Sequence, residues 1–339
     1  MELGVLLILF IIGTFIGSFL TNCIERLPFG EDDFYAEPWE PENWYFKIPL
    51  FSLFLAMPLY TRFKSVLPSS RCPCCSKRLR YREKFPILSY IYLGGRCSSC
   101  SYKIPLRHLL VELLTGILFV IFALRFDFGL RLLVSLFMVS LFVVATVVDI
   151  RYQIIPDEVN LLGLSVGLLL ALFKSLVSFV FKLFENDPAI HKPSAIFAFL
   201  KESFILEEFS LGFAIYGAVV GSGTLMLLYY AGTALAGTDA MGGGDVKLAG
   251  FIGSFLGAKG VLVALLCSTV LGAVFGVFIL ILGYGSKEGG FTKFAFGPYI
   301  CFGTLLTMYL GVDEMIRAYS ILNQSLVSLF LVQHPQFVP

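Results

Sequence analysis

Two aspartates and four cysteines carry most of the chemistry this sequence offers. Asp245 stands in Met241-Gly242-Gly243-Gly244-Asp245-Val246-Lys247-Leu248, directly behind three glycines and ahead of an apolar run. Glycine permits positive φ and close backbone approach. Gly242 and Gly244 therefore predict a place where a substrate backbone reaches Asp245 without side chains in the way. Asp149 has a matching position at the end of the apolar run 132–148. A carboxylate within or at the edge of a bilayer is costly and points to function. Two such acids, brought to one membrane face by separate helices, predict an aspartyl-type hydrolase. Like charges a few ångströms apart do not both ionise readily, so the pair shares a proton. The ionised member takes a proton from water and the protonated member polarises the scissile carbonyl. The titration belongs to the pair, so the proton is assigned to neither acid.

Nearby charges compete for these roles. Asp157 follows Pro156 and precedes the next apolar run, an N-cap position beside a helix's positive end. Asp239 reads as a loop or cap residue, and Asp149 itself has the bland alternative of a solvated partner for Arg151. Lys247 and Arg151 either tune the acids or snorkel to the interface.

The cysteines form Cys72-x-x-Cys75 and Cys97-x-x-Cys100, two knuckles separated by slightly more than a zinc ribbon's usual loop. Four thiolates match the closed tetrahedral coordination of structural zinc, and Gly94-Gly95 suits the turn before the second knuckle. With four ligands filled, the metal is expected to fold the segment and do no chemistry. Redox-active or vestigial cysteines are the alternative. Cys74 is a spare ligand, while Cys23, Cys267 and Cys301 lie in apolar runs as small core residues.

The elements that must position these groups are membrane helices. The chain of 339 residues is 57% hydrophobic and 14% charged, with mean hydropathy +0.84, far from a soluble domain's balance. Apolar runs long enough to cross about 30 Å of hydrocarbon recur. Spans are expected at 3–24, 109–124, 132–148, 159–181, 211–235, 246–256, 261–284 and 296–310. The fold class is thus an all-α polytopic membrane protein of about eight helices with a small cysteine-rich, zinc-ribbon-like cytoplasmic domain. The first run lacks a basic region before it and a small-residue cleavage site after it, so it reads as a retained span. Between Arg62 and Arg107 stand eleven Lys and Arg against the single acid Glu83. Cytoplasmic loops carry such an excess, and counting spans from there places Asp149 and Asp245 on the cytoplasmic face. The divisions expected are a first span (1–26), a cytoplasmic domain (27–107), a peptidase membrane domain (108–312) and a tail (313–339). The proline-broken run 48–60 reads as an interfacial piece, and the apolar tail segment 321–332 as lying on the membrane surface. Membrane lipid is the expected surrounding, and no nucleic-acid partner is expected.

Six stretches, in order, resemble the type IV prepilin peptidases, membrane aspartic proteases marked by Gly-x-Gly-Asp. They are Gly17-Ser18-Phe19-Leu20 with Arg26-Leu27-Pro28, the two Cys-x-x-Cys pairs, Val111-Glu112-Leu113-Leu114-Thr115, Asp149 through Ile155-Pro156-Asp157, Gly242-Gly243-Gly244-Asp245 with Lys247, and Phe296-Gly297-Pro298-Tyr299. The resemblance implies cleavage after glycine of the short basic leader of prepilins and type II secretion pseudopilins, in the bacterial inner membrane, with Asp149 and Asp245 catalytic. It also implies N-methylation of the new N-terminus from S-adenosylmethionine, for which no residue is assigned. The chain departs from the pattern where Thr21 precedes Asn22, and in the run 48–60 and the tail. The acidic stretch 31–42 is the expected dock for a basic leader, because the cysteine segment is itself basic. A peptidase without methyl transfer, a transporter carrying a zinc ribbon, and a non-catalytic scaffold are the competing readings.

Overall fold

The computed structural model describes residues 2–27, 72, 74–75, 83, 85–184, 209–236, 241–281 and 295–333. The stretch 31–42, the run 48–60, residues 185–208, Asp239 and the loop 285–293 lie outside the described residues. The helices are α1 Leu3–Arg26, α2 Leu88–Tyr92, α3 Leu106–Arg125, α4 Leu130–Tyr152, α5 Asp157–Phe184, α6 Leu211–Ala236, α7 Gly243–Ile281, α8 Gly297–Leu310 and α9 Val312–Gln333. Among the described residues the β pairing is one isolated bridge, Arg96 to Lys103. The all-α expectation holds.

Among the described residues six helices are long and apolar enough to span a bilayer, and the pair α8–α9, bent by 99°, makes a seventh if taken as one span. The sequence suggested about eight, and the difference lies in α7. At Gly257 its backbone leaves helical geometry with φ 68°, a conformation for which glycine is suited. The ring of Phe213 also occupies the place a Cβ would need. Packing shows that the chain folds back there. Gly221 of α6 lies against both Ala249 and Val261, and Gly217 against both Gly253 and Gly257. Residues 249 and 261 would stand about 18 Å apart in a straight helix, so only a helical hairpin brings both to one glycine. The arms 243–256 and 258–281 are the two separate segments expected from sequence. Small residues at these contacts let backbones approach closely, the usual basis of helix association in lipid.

Helix α4 is central. Of its apolar window 61% is buried, against 22–33% in the other spans. Phe142 and Phe137 of α4 stack on Phe251 and Phe255 of α7, with ring centroids 5.5 and 6.5 Å apart. As one series descends the other rises, so α4 and the first arm of α7 are antiparallel. Helix α5 lies along the same arm, with Gly163 beneath Phe251 and Gly167 beneath Ser254 and Phe255.

The N-terminal half is joined to this bundle through α1 and α3, where Gly13 packs on Gly116 and Gly17 on Glu112. Glu25, at the end of α1, gathers three partners. Arg107 lies at 2.9 Å, Arg151 at 3.2 Å and His108 at 3.6 Å. One carboxylate thereby ties α1, the start of α3 and the end of α4 at a single level. Buried Glu112 of α3 accepts the N–H of Ile87 at 2.7 Å, anchoring the cysteine segment to the helix below it.

Candidate active site

Asp149 occupies the last turn of α4. The helix closes when Gln153 turns left-handed at φ 56°, its N–H bonding the Asp149 carbonyl at 2.8 Å. The non-helical Ile154-Ile155-Pro156 then leads into α5. Asp245 is the third residue of α7, its N–H bonding the Gly242 carbonyl at 3.2 Å. Asp149 is seven residues beyond Phe142, and Asp245 six before Phe251, so the stacked rings carry both acids to the same layer, each about 10 Å along its helix. Both are buried, at 5% and 7% exposure. The two acids lie within electrostatic reach of each other and of the Cys301 thiol. The separate helices do bring the two acids together.

A third helix completes the site. The N–H of Gly297, first residue of α8, donates to Asp149 Oδ2 at 3.0 Å. The positive end of a helix is a natural seat for an anion. Asp245, in the first turn of α7, has the same benefit, whereas Asp149 lies at the negative end of α4 and draws its compensation from α8. Ile155 packs against both Gly244 and Gly297 and so wedges the α4–α5 connection between the two acid-bearing segments.

The remaining sequence candidates separate. Asp157 is the first residue of α5 and pairs with Lys247 at 2.8 Å, its side chain 49% exposed. It belongs to a surface ion pair beside the buried acids. Arg151 turns to Glu25 and lies over the Tyr152 ring at 4.8 Å. A Cβ on Gly242 would meet nothing closer than Asp245 Oδ2 at 3.8 Å, whereas one on Gly244 would come within 3.1 Å of Ile155 Cβ. Space beside Asp245 is therefore open at Gly242, and Gly244 is small for packing.

The thiols of Cys72, Cys75, Cys97 and Cys100 all lie within 4.8 Å of one another, with Cys72 Sγ and Cys100 Sγ 3.6 Å apart. Tetrahedral zinc with Zn–S of about 2.3 Å puts sulfurs about 3.8 Å apart, so the set fits that metal. The second knuckle is a tight turn in which Cys97 N–H bonds the Tyr102 carbonyl at 2.8 Å and Ser101 N–H the Cys97 carbonyl at 3.0 Å. Backbone N–H groups of Ser99 and Cys100 draw the Cys97 thiol down to about 7, favouring the thiolate a metal binds. Cys74 is exposed and outside the cluster.

The sequence alone assigns several of these groups no role. Gly297 stands within one of the matching stretches, and a Gly-Pro opening an apolar run marks a helix N-terminus and so an anion seat. Glu25 and Asn160 carried no local signal, because their partners are 82 and 84 residues away.

A polytopic helical membrane protein with two buried aspartates in one layer, and a four-thiol cluster in its N-terminal half, is the class defined by this fold and site. Residues 11–126 match the family described as Bacterial Peptidase A24 N-terminal domain, and residues 187–277 match the Type IV leader peptidase family. The first range holds the four cysteines and the second holds Asp245, while Asp149 falls between them. The chain is 30% identical over 313 residues to the prepilin leader peptidase/N-methyltransferase of Aeromonas salmonicida, covering 92% of each chain. It is 30% identical over 315 residues to that of Pseudomonas aeruginosa, covering 91% of each. To that of Dickeya chrysanthemi it is 34% identical over 253 residues, 74% of this chain and 75% of the relative. No solved structure matches significantly. The chain belongs to the prepilin leader peptidase/N-methyltransferase family.

Proposed function

We propose that this chain removes the short basic leader of prepilins and pseudopilins at the cytoplasmic edge of the bacterial inner membrane, with Asp149 and Asp245 as the catalytic pair. The observation that carries the reading is the pair itself, two buried aspartates brought to one layer by separate helices. One carboxylate, ionised, takes a proton from water as the water oxygen attacks the scissile carbonyl carbon. The other, protonated, gives its proton to the carbonyl oxygen, and a tetrahedral diol results. Collapse breaks the C–N bond as a proton passes to the leaving nitrogen, and the pair again holds one proton. Gly297 keeps Asp149 oriented, and the space beside Gly242, roomy enough that even a Cβ there would meet nothing closer than 3.8 Å, admits the peptide. Lys247 and Asp157 frame the entrance as an ion pair.

A membrane-embedded pair of this kind selects its bond by depth. A prepilin places a basic leader in water and an apolar helix in lipid, so the junction sits at the level where α4 ends and α7 begins. The excess of Lys and Arg in the cysteine segment supports a cytoplasmic side for that level. Methylation of the exposed N-terminus is the second activity, and S-adenosylmethionine supplies the methyl group. Among the described residues of α1–α3 the buried carboxylate, Glu112, is already engaged by Ile87, so no residue is assigned to that step. The test is mass spectrometry of a synthetic prepilin segment incubated with the purified protein in lipid and the methyl donor. Loss of the leader after glycine, followed by gain of one methyl group, is expected. A segment left whole, or cut elsewhere, overturns the reading.

Cys72, Cys75, Cys97 and Cys100 would hold a structural zinc, closing the cysteine segment without an open coordination position. Cys97→Ser is expected to lose the metal, measured by elemental analysis of the purified protein, and to make the segment sensitive to protease. Full metal content in the variant, or cysteines recovered as disulfides from wild type, would overturn the zinc assignment.

A further inference from the structure

Beside the segment that carries Asp245 lies an amide with half of its chemistry unused. Asn160, in the first turn of α5, is 4% exposed. Its Nδ2 donates to the carbonyl of Gly244, the residue before Asp245, at 3.4 Å. Its Oδ1 is fully shielded, and no donor among the described residues reaches it. The neighbouring carbonyl fixes which end of the amide is nitrogen, since the flipped amide would set oxygen against oxygen.

A buried acceptor without a donor forfeits its hydration and regains nothing. Such groups are few in native proteins, and each calls for a cause. Packing does not supply one here. Further along the same face, α5 meets α7 through Gly163 and Gly167, which sit under aromatic rings and a serine, so a small apolar residue at 160 would serve packing equally well. An amide is needed only if its oxygen meets an N–H during the reaction. A peptide drawn from water to the level of Asp245 brings such groups, and each must find a partner once water is excluded.

We propose that Asn160 binds substrate: Oδ1 accepts a backbone N–H flanking the bond being cut, while Nδ2 remains on Gly244. Through this contact the peptide is registered to the segment that carries Asp245, and the scissile carbonyl faces the acid pair. The proposal rests on Asp149 and Asp245 being the peptidase site. It adds a residue that reads the substrate backbone, independent of substrate side chains.

The test uses full-length protein in lipid and a set of prepilin segments in which single backbone N–H groups near the junction are replaced by ester oxygen. At one flanking position the ester is expected to lower wild-type kcat/KM by about fivefold, the worth of one net hydrogen bond. Asn160→Ala should show a similar loss on the all-amide segment and no further loss with that ester. Asn160→Thr, which keeps a small acceptor should Ala fail to fold, is expected to regain sensitivity to the ester. Ester losses equal in wild type and in the folded variants at every position, the signature of independent sites, would overturn the proposal. Asp245→Asn is assayed alongside. If it is inactive and the ester losses are additive, Asn160 alone is misassigned; if it cuts normally, the acid pair is misassigned and the proposal falls with it.

Discussion

Asp149→Asn and Asp245→Asn each lower cleavage of a prepilin segment at least about 10³-fold, and neither lowers the thermal midpoint of the protein. The two halves of this expectation have one cause. Both acids are buried, and they lie within electrostatic reach of each other. An amide of the same shape removes a costly buried charge, and at position 149 it still offers Gly297 an oxygen to bond. Stability is therefore unchanged or raised, as for other sites whose chemistry conflicts with folding. Activity is lost because an amide neither takes a proton from water nor gives one to the carbonyl. Asp157→Asn is the comparison. It breaks only a half-exposed pair with Lys247, and its activity stays within about fivefold, the most such a pair is worth. Activity retained in either buried-acid variant, or activity and stability falling together, would sink the assignment.

The same measurement separates the competing classes. A non-catalytic scaffold loses nothing when either acid becomes an amide. A transporter carries its acids near the midplane between paired repeats, whereas these two stand at helix ends level with the Glu25 cluster and the Lys247–Asp157 pair.

Local pattern made part of this protein legible. The apolar runs, the two cysteine knuckles and the two acids at run ends each announce themselves within a few residues. The break at Gly257 was also readable, as the gap between a short run and a longer one, though nothing local shows that the arms fold into a hairpin on α6. What the sequence leaves hidden is pairing at long range. Glu25 gathering Arg107 and Arg151, and Asn160 reaching Gly244, depend on which helices touch. That in turn is decided by small residues such as Gly217 and Gly253, whose role appears only when the backbones meet. Asp157 illustrates the opposite case. The local signal of a proline followed by an acid at a helix start was real, and its partner Lys247 stood beside Asp245 in sequence, yet only the fold shows that the pair lies outside the buried site.

Gly297→Ala is expected to lower cleavage about 10²-fold or more, while Gly242→Ala stays near wild type and Gly244→Ala falls between. The ranking follows from what an added Cβ would meet. At 297 it would stand 2.5 Å from Asp149 Oδ2 and 3.0 Å from Ile155 Cδ1; at 244, 3.1 Å from Ile155 Cβ; at 242, 3.8 Å from Asp245 Oδ2. The first cannot be accommodated without moving the Asp149 carboxylate and losing its bond from the Gly297 N–H, 3.0 Å long. A displacement of about 1 Å at a reacting group costs about 10²-fold. The loss should appear in kcat with KM little changed, because the damage is to the acid and leaves substrate binding alone. Stability supplies the second axis. A methyl group placed against a carboxylate strains the junction of α4, α5 and α8, so Gly297→Ala lowers the thermal midpoint where Asp149→Asn does not. The double variant of Gly297→Ala with Asp149→Asn should lose no activity beyond Asp149→Asn alone, since both act through one carboxylate. Equal losses at 242 and 297, or a Gly297→Ala protein that cuts normally, would show that the α8 N-terminus does not hold Asp149 during the reaction.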